Sequence, residues 1–474
     1  MRFTNLTRAT EIGANSYLLE LDADGGRRVV LDCGMHPKLD GEAALPNLGP
    51  ALTGRLDAIL VSHAHLDHIG SLPVLMRRQP DAPVFMTAPT ARLGATLLHN
   101  SVNVMSKQEN AGASSLLFTH RETDALTPRW RECALRQPFA WDGERLARGG
   151  EEHAATSFEW FDAGHILGSA GVLIRDGGRR IFYTGDVNFH DQTVVRAARF
   201  PDEITEPLDV LIIETTRGDQ PVAPGFTRRA EEERFARALA EAFARGGAVL
   251  VPVFALGKTQ EVLAMLLDFR RRGLLDPEVP IYIGGLSTKM TEIYDSFARA
   301  GEAVAPRKLP GIGLLDNVAP YVLGGRDAAN APLKPGCIYA LSSGMMSEHT
   351  LSTMFARRMV SDPRHSIFFV GYADPDSIAG RLRAAQPGEL VVLDEGEASA
   401  AAPGQELRAT VDKFDFSAHA DRESIRAWVR RVAPKKVVLV HGDPAAVRWF
   451  QETLRADLPD SEIIVPPPGV AIEL

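Results

Sequence analysis

Short apolar runs, each bounded by turn residues, recur through the first part of the chain. Runs of this length predict buried strands; they include Val29–Leu31, Ile59–Val61, Val172–Ile174, Ile181–Tyr183 and Val210–Ile213. Asp176-Gly177-Gly178 separates the third run from the fourth and predicts a β-hairpin. The stretch from Leu97 to Trp141 instead has helical spacing, so the sequence predicts helix there.

A different pattern follows, in which strands and helices alternate. Helical spacing covers Ala230 to Ala244. Later apolar runs predict strands at Ala248–Val253, Ile281–Ile283, Ile338–Leu341, Ile367–Val370 and Leu390–Leu393. Helices are predicted at Thr259–Arg271, Thr288–Ala300 and Ser352–Val360. Strands separated by helices predict a mainly parallel sheet, and therefore a second α/β domain.

Two turn-rich stretches predict the limits of that domain. Thr215 to Pro221 is followed closely by Pro224-Gly225, which is typical of a domain boundary. Asp394 to Gly404 is rich in small and polar residues and predicts a flexible connection.

Composition limits the class of protein. The 474 residues are 45% hydrophobic and 24% charged, as expected for a globular protein with a large core. No apolar run approaches the roughly 20 residues that span a membrane, and Met1 to Asn5 has no apolar core of an export signal. Cys33, Cys133 and Cys337 are too few and too far apart for a disulfide framework. We therefore expect a cytoplasmic protein.

The most informative segment follows the second apolar run. His63, His65, Asp67 and His68 lie within six residues, at the turn after a predicted buried strand. Neutral imidazole and carboxylate are good ligands for zinc, and two metal ions can share such a cluster if further ligands come from elsewhere.

Further ligand-type residues do follow other strands. His165 lies in a glycine-flanked turn, Asp186 follows Ile181–Gly185, and His441 follows Val437–Val440. One such residue alone is usually an ordinary turn residue, but the cluster and its distant partners together indicate a site for two metal ions.

These residues resemble the motifs of the metallo-β-lactamase fold, in which two mixed sheets pack face to face between helices. His63-x-His65-x-Asp67-His68 is similar to its signature motif. Asp32 is similar to the first motif, an aspartate that supports the ligand loop, and His165 and Asp186 to the third and fourth. The resemblance implies an αββα sandwich.

Three further motifs resemble those of the β-CASP family, which processes nucleic acids. Glu214 resembles motif A, His419 lies in a stretch that resembles motif B, and His441 resembles motif C. Since motifs B and C come after the second α/β domain, that domain is expected to be inserted in the first. The implied division is residues 1–225 and 405–474 for the metallo-β-lactamase domain and 226–404 for the β-CASP domain.

The resemblance also implies a chemistry. One Zn²⁺ takes His63, His65 and His165, and a second takes Asp67, His68 and His441. Asp186 and a hydroxide bridge the two ions, and the hydroxide attacks a phosphodiester. His419 is the expected general acid, with Glu214 beside it to orient it and raise its pKa.

Serine-rich turns are candidates for binding phosphates. They contain Ser342 and Ser343 in one segment, and Ser417 and Ala418 in another. The chain departs from the family pattern at Arg217, Ser347–Thr350 and Ala373–Asp376, all expected near the substrate channel.

The expected activity is hydrolysis of single-stranded RNA as an endonuclease, with additional 5′-exonuclease activity left open. In the family a histidine at motif C accompanies RNA processing, so His441 favours RNA over DNA. A DNA-processing nuclease and a small-molecule hydrolase of the same fold are the alternatives. The net charge of −9 is unusual for a nucleic-acid enzyme, but metal ions would add positive charge at the cleft. The oligomeric state stays open, with a homodimer as one alternative.

Overall fold

The structure is a computed structural model. It describes residues 1–23, 26–110, 116–141, 146–148, 155–204, 206–300, 311–324, 328–394 and 403–474. In chain order the strands are β1 (Arg2–Asn5), β2 (Tyr17–Leu21), β3 (Arg27–Leu31), β4 (Ala58–Leu60), β5 (Val84–Thr87), β6 (Trp130–Cys133), β7 (Phe139–Trp141), β8 (Leu146–Arg148), β9 (Thr156–Asp162), β10 (Ala170–Asp176), β11 (Arg179–Tyr183), β12 (Val210–Glu214), β13 (Val249–Pro252), β14 (Ile281–Gly284), β15 (Tyr321–Leu323), β16 (Ile338–Leu341), β17 (Ser366–Phe369), β18 (Leu390–Val391), β19 (Gln405–Glu406), β20 (Thr410–Lys413), β21 (Lys436–Val440), β22 (Glu462–Ile464) and β23 (Ala471–Glu473).

The helices begin at residues suited to that place. Thr227 and Asp421, for example, each accept hydrogen bonds from backbone amides of the first turn that follows. In chain order the helices are α1 (Leu66–Ile69), α2 (Leu72–Arg78), α3 (Ala88–Asn110), α4 (His120–Leu126), α5 (Phe200–Glu203), α6 (Arg228–Ala244), α7 (Lys258–Arg271), α8 (Gly285–Ser296), α9 (Leu314–Val318), α10 (Leu351–Met359), α11 (Ile378–Ala384), α12 (Arg422–Val432) and α13 (Pro444–Asp457).

Two mixed sheets form the first domain. Their strand orders are β23-β1-β2-β3-β4-β5-β6 and β22-β21-β12-β11-β10-β9-β7-β8. The inner faces of both sheets contribute to one apolar core, in which Phe85 of the first sheet contacts Trp160 of the second. The alternation of side chains along a strand leaves each sheet a second apolar face.

Helices cover those outer faces. Helices α2 and α3 pack on the first sheet, where Leu75 and Leu98 join a core with Ile59. Helices α12 and α13 pack on the second sheet, where Trp428 and Phe450 do the same. The layers are helix, sheet, sheet, helix, so the predicted αββα sandwich is confirmed.

A third sheet has the order β15-β14-β16-β13-β17-β20. In the sequence its strands fall between β12 and β21 of the sandwich. All its strand pairs are parallel, as the alternation of strands and helices predicted. One face packs with α6, α7 and α8, and this core continues into the first domain through Ile166 and Val194. The two domains therefore share an apolar interface.

The chain returns to the first domain after the third sheet. Strands β21 and β22 extend the second sheet in parallel from β12, and β23 closes the edge of the first sheet against β1. Strand β20, Thr410–Lys413, still pairs with β17, so the sheet extends past residue 404, where the sequence predicted its domain to end.

Two local predictions differ from the structure, and a third cannot be compared with it. The predicted helix from Leu97 to Trp141 agrees with the rest of α3 and with α4. After α4 the chain instead forms β6 and β7, because each pairs with a strand of a large sheet. Strand β18 pairs with β19 in a separate antiparallel pair rather than with the parallel sheet. Most of the predicted flexible connection, residues 395–402, lies outside the described residues.

Two predictions from composition, on membrane-spanning segments and on cysteines, can be compared with the described residues. Within the described ranges, no helix combines the length and the apolar character needed to cross a membrane. The three cysteines are all buried, and none of them forms a disulfide.

Replacing Phe85 with alanine should destabilise the sandwich strongly. The side chain is fully buried between the sheets, in ring contact with Phe139 and Trp160. We expect a loss of about 3–5 kcal/mol in the free energy of unfolding, measured by urea denaturation. Phe226→Ala is the matched control, because that ring is 36% exposed, and it should lose about 1 kcal/mol or less. Equal losses in the two variants would contradict the packing described here.

Candidate metal centre

The candidate ligands converge because the strands that precede them end at one edge. Strands β3 and β4 are parallel neighbours, as are β11, β12 and β21. Strand β9 runs in the same direction as β11, because each pairs antiparallel with β10. The turns after these strands carry Asp32, His63, His165, Asp186 and His441, so all five lie at the same end of the sandwich.

Three histidines form the first group. His63 Nε2 and His165 Nε2 each lie 3.1 Å from His65 Nδ1. Asp186 Oδ2 lies 3.5 Å from His63 Nε2 and 3.7 Å from His165 Nε2. These four side chains bring one ligand atom each within 4.8 Å of one another.

The second group lies on the other side of Asp186. Asp67 Oδ2 is 3.6 Å from His68 Nε2 and 3.3 Å from His441 Nε2. Asp186 Oδ1 is 3.3 Å from His68 Nε2. The two carboxylate oxygens of Asp186 therefore face different groups, which is the arrangement that a bridging ligand needs.

In three of these histidines, a hydrogen bond to the ring nitrogen farther from the centre fixes which nitrogen faces the centre. His165 Nδ1 donates to the carbonyl of Ala418 at 2.9 Å, and His68 Nδ1 donates to Asp32 Oδ2 at 2.7 Å. His63 Nδ1 lies 3.0 Å from the Ser62 hydroxyl, which itself donates to Asp32. With the proton held on Nδ1, the neutral form of each ring presents a lone pair on Nε2 to the centre.

Burial keeps several of these imidazoles neutral. It lowers the pKa of His63 and of His165 well below the usual value, and it lowers the pKa of His65 as well. Burial alone would raise the pKa of Asp186, but His441 and the other nearby histidines hold it well below its ordinary range. Neutral imidazole and ionised carboxylate are the forms that bind metal ions.

This donor set fits metal cations. His63 Nε2 and His165 Nε2 both lie 3.1 Å from His65 Nδ1, which carries at most one hydrogen atom to share between their two lone pairs. Asp186 Oδ1 is buried and accepts no hydrogen bond from the described residues. A buried carboxylate oxygen without a donor is costly, and a cation among these atoms would remove that cost.

Asp32 organises the ligand loop although it is not itself a ligand. Its fully buried carboxylate accepts hydrogen bonds from the amide (2.6 Å) and hydroxyl (2.7 Å) of Ser62, from His68 Nδ1 (2.7 Å) and from the Tyr183 hydroxyl (2.5 Å). Its φ of 57° turns the chain sharply after β3. One side chain thus holds the β4 turn, a ligand and the second sheet together.

Gly34 permits the loops that carry Asp32 and Asp67 to touch. A Cβ at this position would lie 1.7 Å from the backbone oxygen of Asp67, a distance that no side chain can adopt. The sequence therefore needs glycine two residues after Asp32.

A second histidine–carboxylate pair lies beside the cluster. His419 Nδ1 is 3.0 Å and 3.1 Å from the two carboxylate oxygens of Glu214, and Val187 N donates to Glu214 Oε1 at 2.7 Å. Burial alone would lower the pKa of His419, but the Glu214 carboxylate outweighs it and the pKa is raised. The His419 ring centroid lies 4.5 Å from that of His165. The pair is therefore placed to deliver a proton next to the ligands.

The predicted phosphate-binding residues divide into two places. Ser417 and Ala418 adjoin the cluster, where the Ser417 hydroxyl accepts from His419 N at 3.1 Å and Ala418 offers its carbonyl rather than its amide to His165. Ser342 and Ser343 follow β16, at the carboxyl edge of the third sheet. Their binding of phosphate stays a prediction.

Two of the departures from the family pattern make contacts between chain segments that are distant in sequence. Arg217 donates to Asp415 Oδ2 at 2.6 Å, and Asp374 forms an ion pair with Lys38. Ser347 accepts a hydrogen bond from the Thr350 hydroxyl within its own turn.

Several residues that support the ligands were not predicted. They are Asn15, Ser62, Tyr183 and Thr216. Thr216 Oγ1 lies 2.8 Å from His441 Nδ1, and it follows Glu214 by two residues. Ser62 directly precedes His63. A hydroxyl next to a ligand motif is the signal that could have identified both.

Family comparisons cover most of the chain. Residues 9–232 match the metallo-beta-lactamase superfamily, 259–382 match the Beta-Casp domain, and 404–466 match the Zn-dependent metallo-hydrolase RNA specificity domain. The chain belongs to the β-CASP group of the metallo-β-lactamase superfamily. The resemblance inferred from the motifs is confirmed.

Individual relatives agree with this assignment. The chain is 28% identical to "Cleavage and polyadenylation specificity factor subunit 3" of Dictyostelium discoideum over 100% of its own length and 57% of the relative's. It is 29% identical to "RNase J-like protein" of Methanocaldococcus jannaschii over 90% of its own length and 89% of the relative's. A crystal structure of a protein of unknown function from Enterococcus faecalis V583 covers the whole chain with a TM-score of 0.55 at 14% identity. The chain thus spans little more than half the length of the Dictyostelium discoideum relative.

Asp32→Asn should loosen the ligand loop. Asparagine tolerates the same left-handed backbone. Its NH₂ group, however, would face one of the N–H or O–H groups that now donate a hydrogen bond to the carboxylate. We expect metal affinity to fall about 10–100-fold and stability by about 1–3 kcal/mol, measured by metal titration and urea denaturation. Asp460→Asn, on an exposed aspartate, is the control and should change neither quantity. Wild-type affinity in Asp32→Asn would show that this hydrogen-bond network is not needed.

Proposed function

We propose that this protein is a zinc-dependent ribonuclease that hydrolyses phosphodiester bonds of single-stranded RNA. The observation that carries the proposal is the histidine–carboxylate pair, His419 and Glu214, beside a cluster of seven ligand-type residues. A metal cluster alone suits many hydrolytic reactions. A proton donor next to it suits a substrate whose leaving group is a poor one, such as the alkoxide of a ribose.

Two Zn²⁺ ions are the expected cofactors. His63, His65 and His165 would hold one ion, Asp67, His68 and His441 the other, and Asp186 both. When bound, such ions activate water at neutral pH and neutralise charge that develops on the phosphate. The protein's own residues orient these ligands, exclude water from their far sides and hold the proton for the leaving group.

His419 would donate that proton. Glu214 holds Nδ1 through its carboxylate, which leaves Nε2 for the leaving oxygen. Departure of the 3′ oxygen would leave a 3′ hydroxyl on one fragment and a 5′ phosphate on the other.

RNA is the proposed substrate class for two reasons. The matched domain at residues 404–466 is described as an RNA specificity domain and contains both His419 and His441. The relative in Dictyostelium discoideum is named for cleavage and polyadenylation, and the one in Methanocaldococcus jannaschii for its likeness to RNase J. Endonucleolytic and 5′-exonucleolytic cleavage both fit the site. The homodimer and the cytoplasmic location remain predictions.

Cleavage of end-labelled RNA and DNA of one sequence tests the proposal. The zinc-loaded protein should cut RNA faster than DNA and leave 5′ phosphates, and chelation should stop both reactions. Asp186→Ala should abolish cleavage because it removes the ligand shared by both groups, whereas the exposed Asp460→Ala should cut normally.

Equal or reversed rates would instead support a DNA-processing nuclease. No cleavage of either polymer, with hydrolysis of a lactam or a thioester, would support a small-molecule hydrolase. Label at the 5′ end separates the endonucleolytic from the exonucleolytic mode.

His419→Ala should cleave RNA slowly while it keeps both metals and binds RNA. General acid catalysis is typically worth about 10²–10⁴-fold, so the loss in kcat should fall in that range. The defect should shrink on a nitrophenyl phosphodiester, whose leaving group needs no proton. Glu214→Gln should give a milder form of the same pattern, because it removes the charge but keeps a hydrogen-bonding partner.

Stopped-flow rates on both substrates and metal analysis measure this pattern. His120→Ala, at an exposed histidine of α4, is the matched control and should behave as wild type. Loss of zinc from His419→Ala, or equal slowing on both substrates, would make His419 a ligand or a structural residue.

A further inference from the structure

The first turn of α7 connects the inserted domain to the catalytic loops. Gly257 precedes the helix with a φ of 81°, and a Cβ there would lie 2.7 Å from Ile166 Cγ2, next to His165. Lys258 and Glu261 follow three residues apart, so they share one face of the helix. That face is turned toward the metallo-β-lactamase domain.

Glu261 binds the loop that follows Asp186. Its buried carboxylate accepts hydrogen bonds from Thr193 N at 2.7 Å and Val194 N at 3.0 Å, and it pairs with Arg228. In the same loop, Gln192 Nε2 donates to the carbonyl of His165 at 2.7 Å. Glu261 in the helix turn thus supports the loop that follows Asp186 and contacts His165.

Lys258 binds the stretch that carries the proton donor. Its ammonium donates to the backbone carbonyl of Phe416, three residues before His419. The residue is only 7% exposed, and the Phe416 ring is packed under Arg228, 4.7 Å from the guanidinium carbon. Burial lowers the pKa of Lys258 to about 8, against the attraction of Glu261. A buried ammonium is costly without a partner, so this contact is strongly specified.

Between Phe416 and His419 the backbone is fixed at each step. Ser417 N donates to Asp415 Oδ1 at 3.2 Å, His419 N donates to the Ser417 hydroxyl at 3.1 Å, and the Ala418 carbonyl accepts from His165. A shift of the Phe416 carbonyl would therefore move the His419 ring relative to the ligands. Misplacement of a catalytic group by about 1 Å can cost about 10²-fold in rate.

We propose that Lys258 is a positioning residue, which holds His419 at the metal centre through the carbonyl of Phe416. The proposal rests on the proposed function, because it gives His419 the role of proton donor.

Lys258→Met tests it, since methionine keeps most of the length of the side chain and removes the donor. We expect kcat on RNA to fall about 10–100-fold, while the rate on a nitrophenyl phosphodiester changes by no more than about twofold. The double variant Lys258→Met/His419→Ala should be no slower than His419→Ala alone. Both changes remove the same function, proton donation by His419. Lys258→Arg keeps a donor and should retain more activity than Lys258→Met.

Hydrogen exchange gives a readout that does not depend on activity. In Lys258→Met the amides of residues 417–420 should exchange about tenfold faster than in wild type. Lys289→Met makes the same change at an exposed position of α8 and should alter neither exchange nor kinetics.

Two results would overturn the proposal. One is equal slowing of Lys258→Met on both substrates, and the other is unchanged exchange at residues 417–420. If wild-type protein cleaves neither substrate, the proposed function has failed, and the exchange result alone then decides whether Lys258 holds this segment.

Discussion

The structure depends on one electrostatic constraint. Ring nitrogens of His63, His65 and His165 meet within hydrogen-bond distance, while the protons of the first and third are held on the opposite side of the ring. Cations among these nitrogens, and beside Asp186 Oδ1, which accepts no hydrogen bond from the described residues, would lower the cost of burying them together. The sandwich supplies the geometry for this, because parallel strands of both sheets end at the same edge. Asp32 then converts that edge into a fixed site by tying the β4 turn, His68 and the second sheet to one carboxylate.

The site is also a product of two domains. The ligands all come from the metallo-β-lactamase domain, but loops around them are held from the inserted one. Glu261 supports the loop after Asp186, Lys258 holds the segment before His419, and Tyr294 accepts a hydrogen bond from Leu167 N at 3.1 Å. In the proposed function, a common hydrolytic fold thus acquires a reaction of its own: the candidate ligands stay in place, while the inserted domain holds the segment that carries His419.

Much of the site could be predicted from sequence because its ligands occur in short local motifs. His63 to His68 are close in the chain, and Asp186 and His441 directly follow strands that the apolar runs predicted. The supporting hydroxyl of Tyr183 could not be predicted, since its partner Asp32 is distant in sequence and the contact depends on how the sheets pack. The same cause explains the errors in the fold. Tertiary pairing turns part of the helical pattern before Trp141 into strands, and β20 was missed because its partly exposed residues lack an apolar run.

We propose that these side chains hold two metal ions that share one carboxylate. Anomalous diffraction at the zinc edge, from crystals of the zinc-loaded protein, would locate the ions. We expect two peaks about 3.5–4 Å apart. One should lie about 2.0–2.1 Å from the nitrogens of His63, His65 and His165, the other beside Asp67, His68 and His441, and Asp186 should contact both. A single peak, or a peak bound by His419 in place of these ligands, would contradict it.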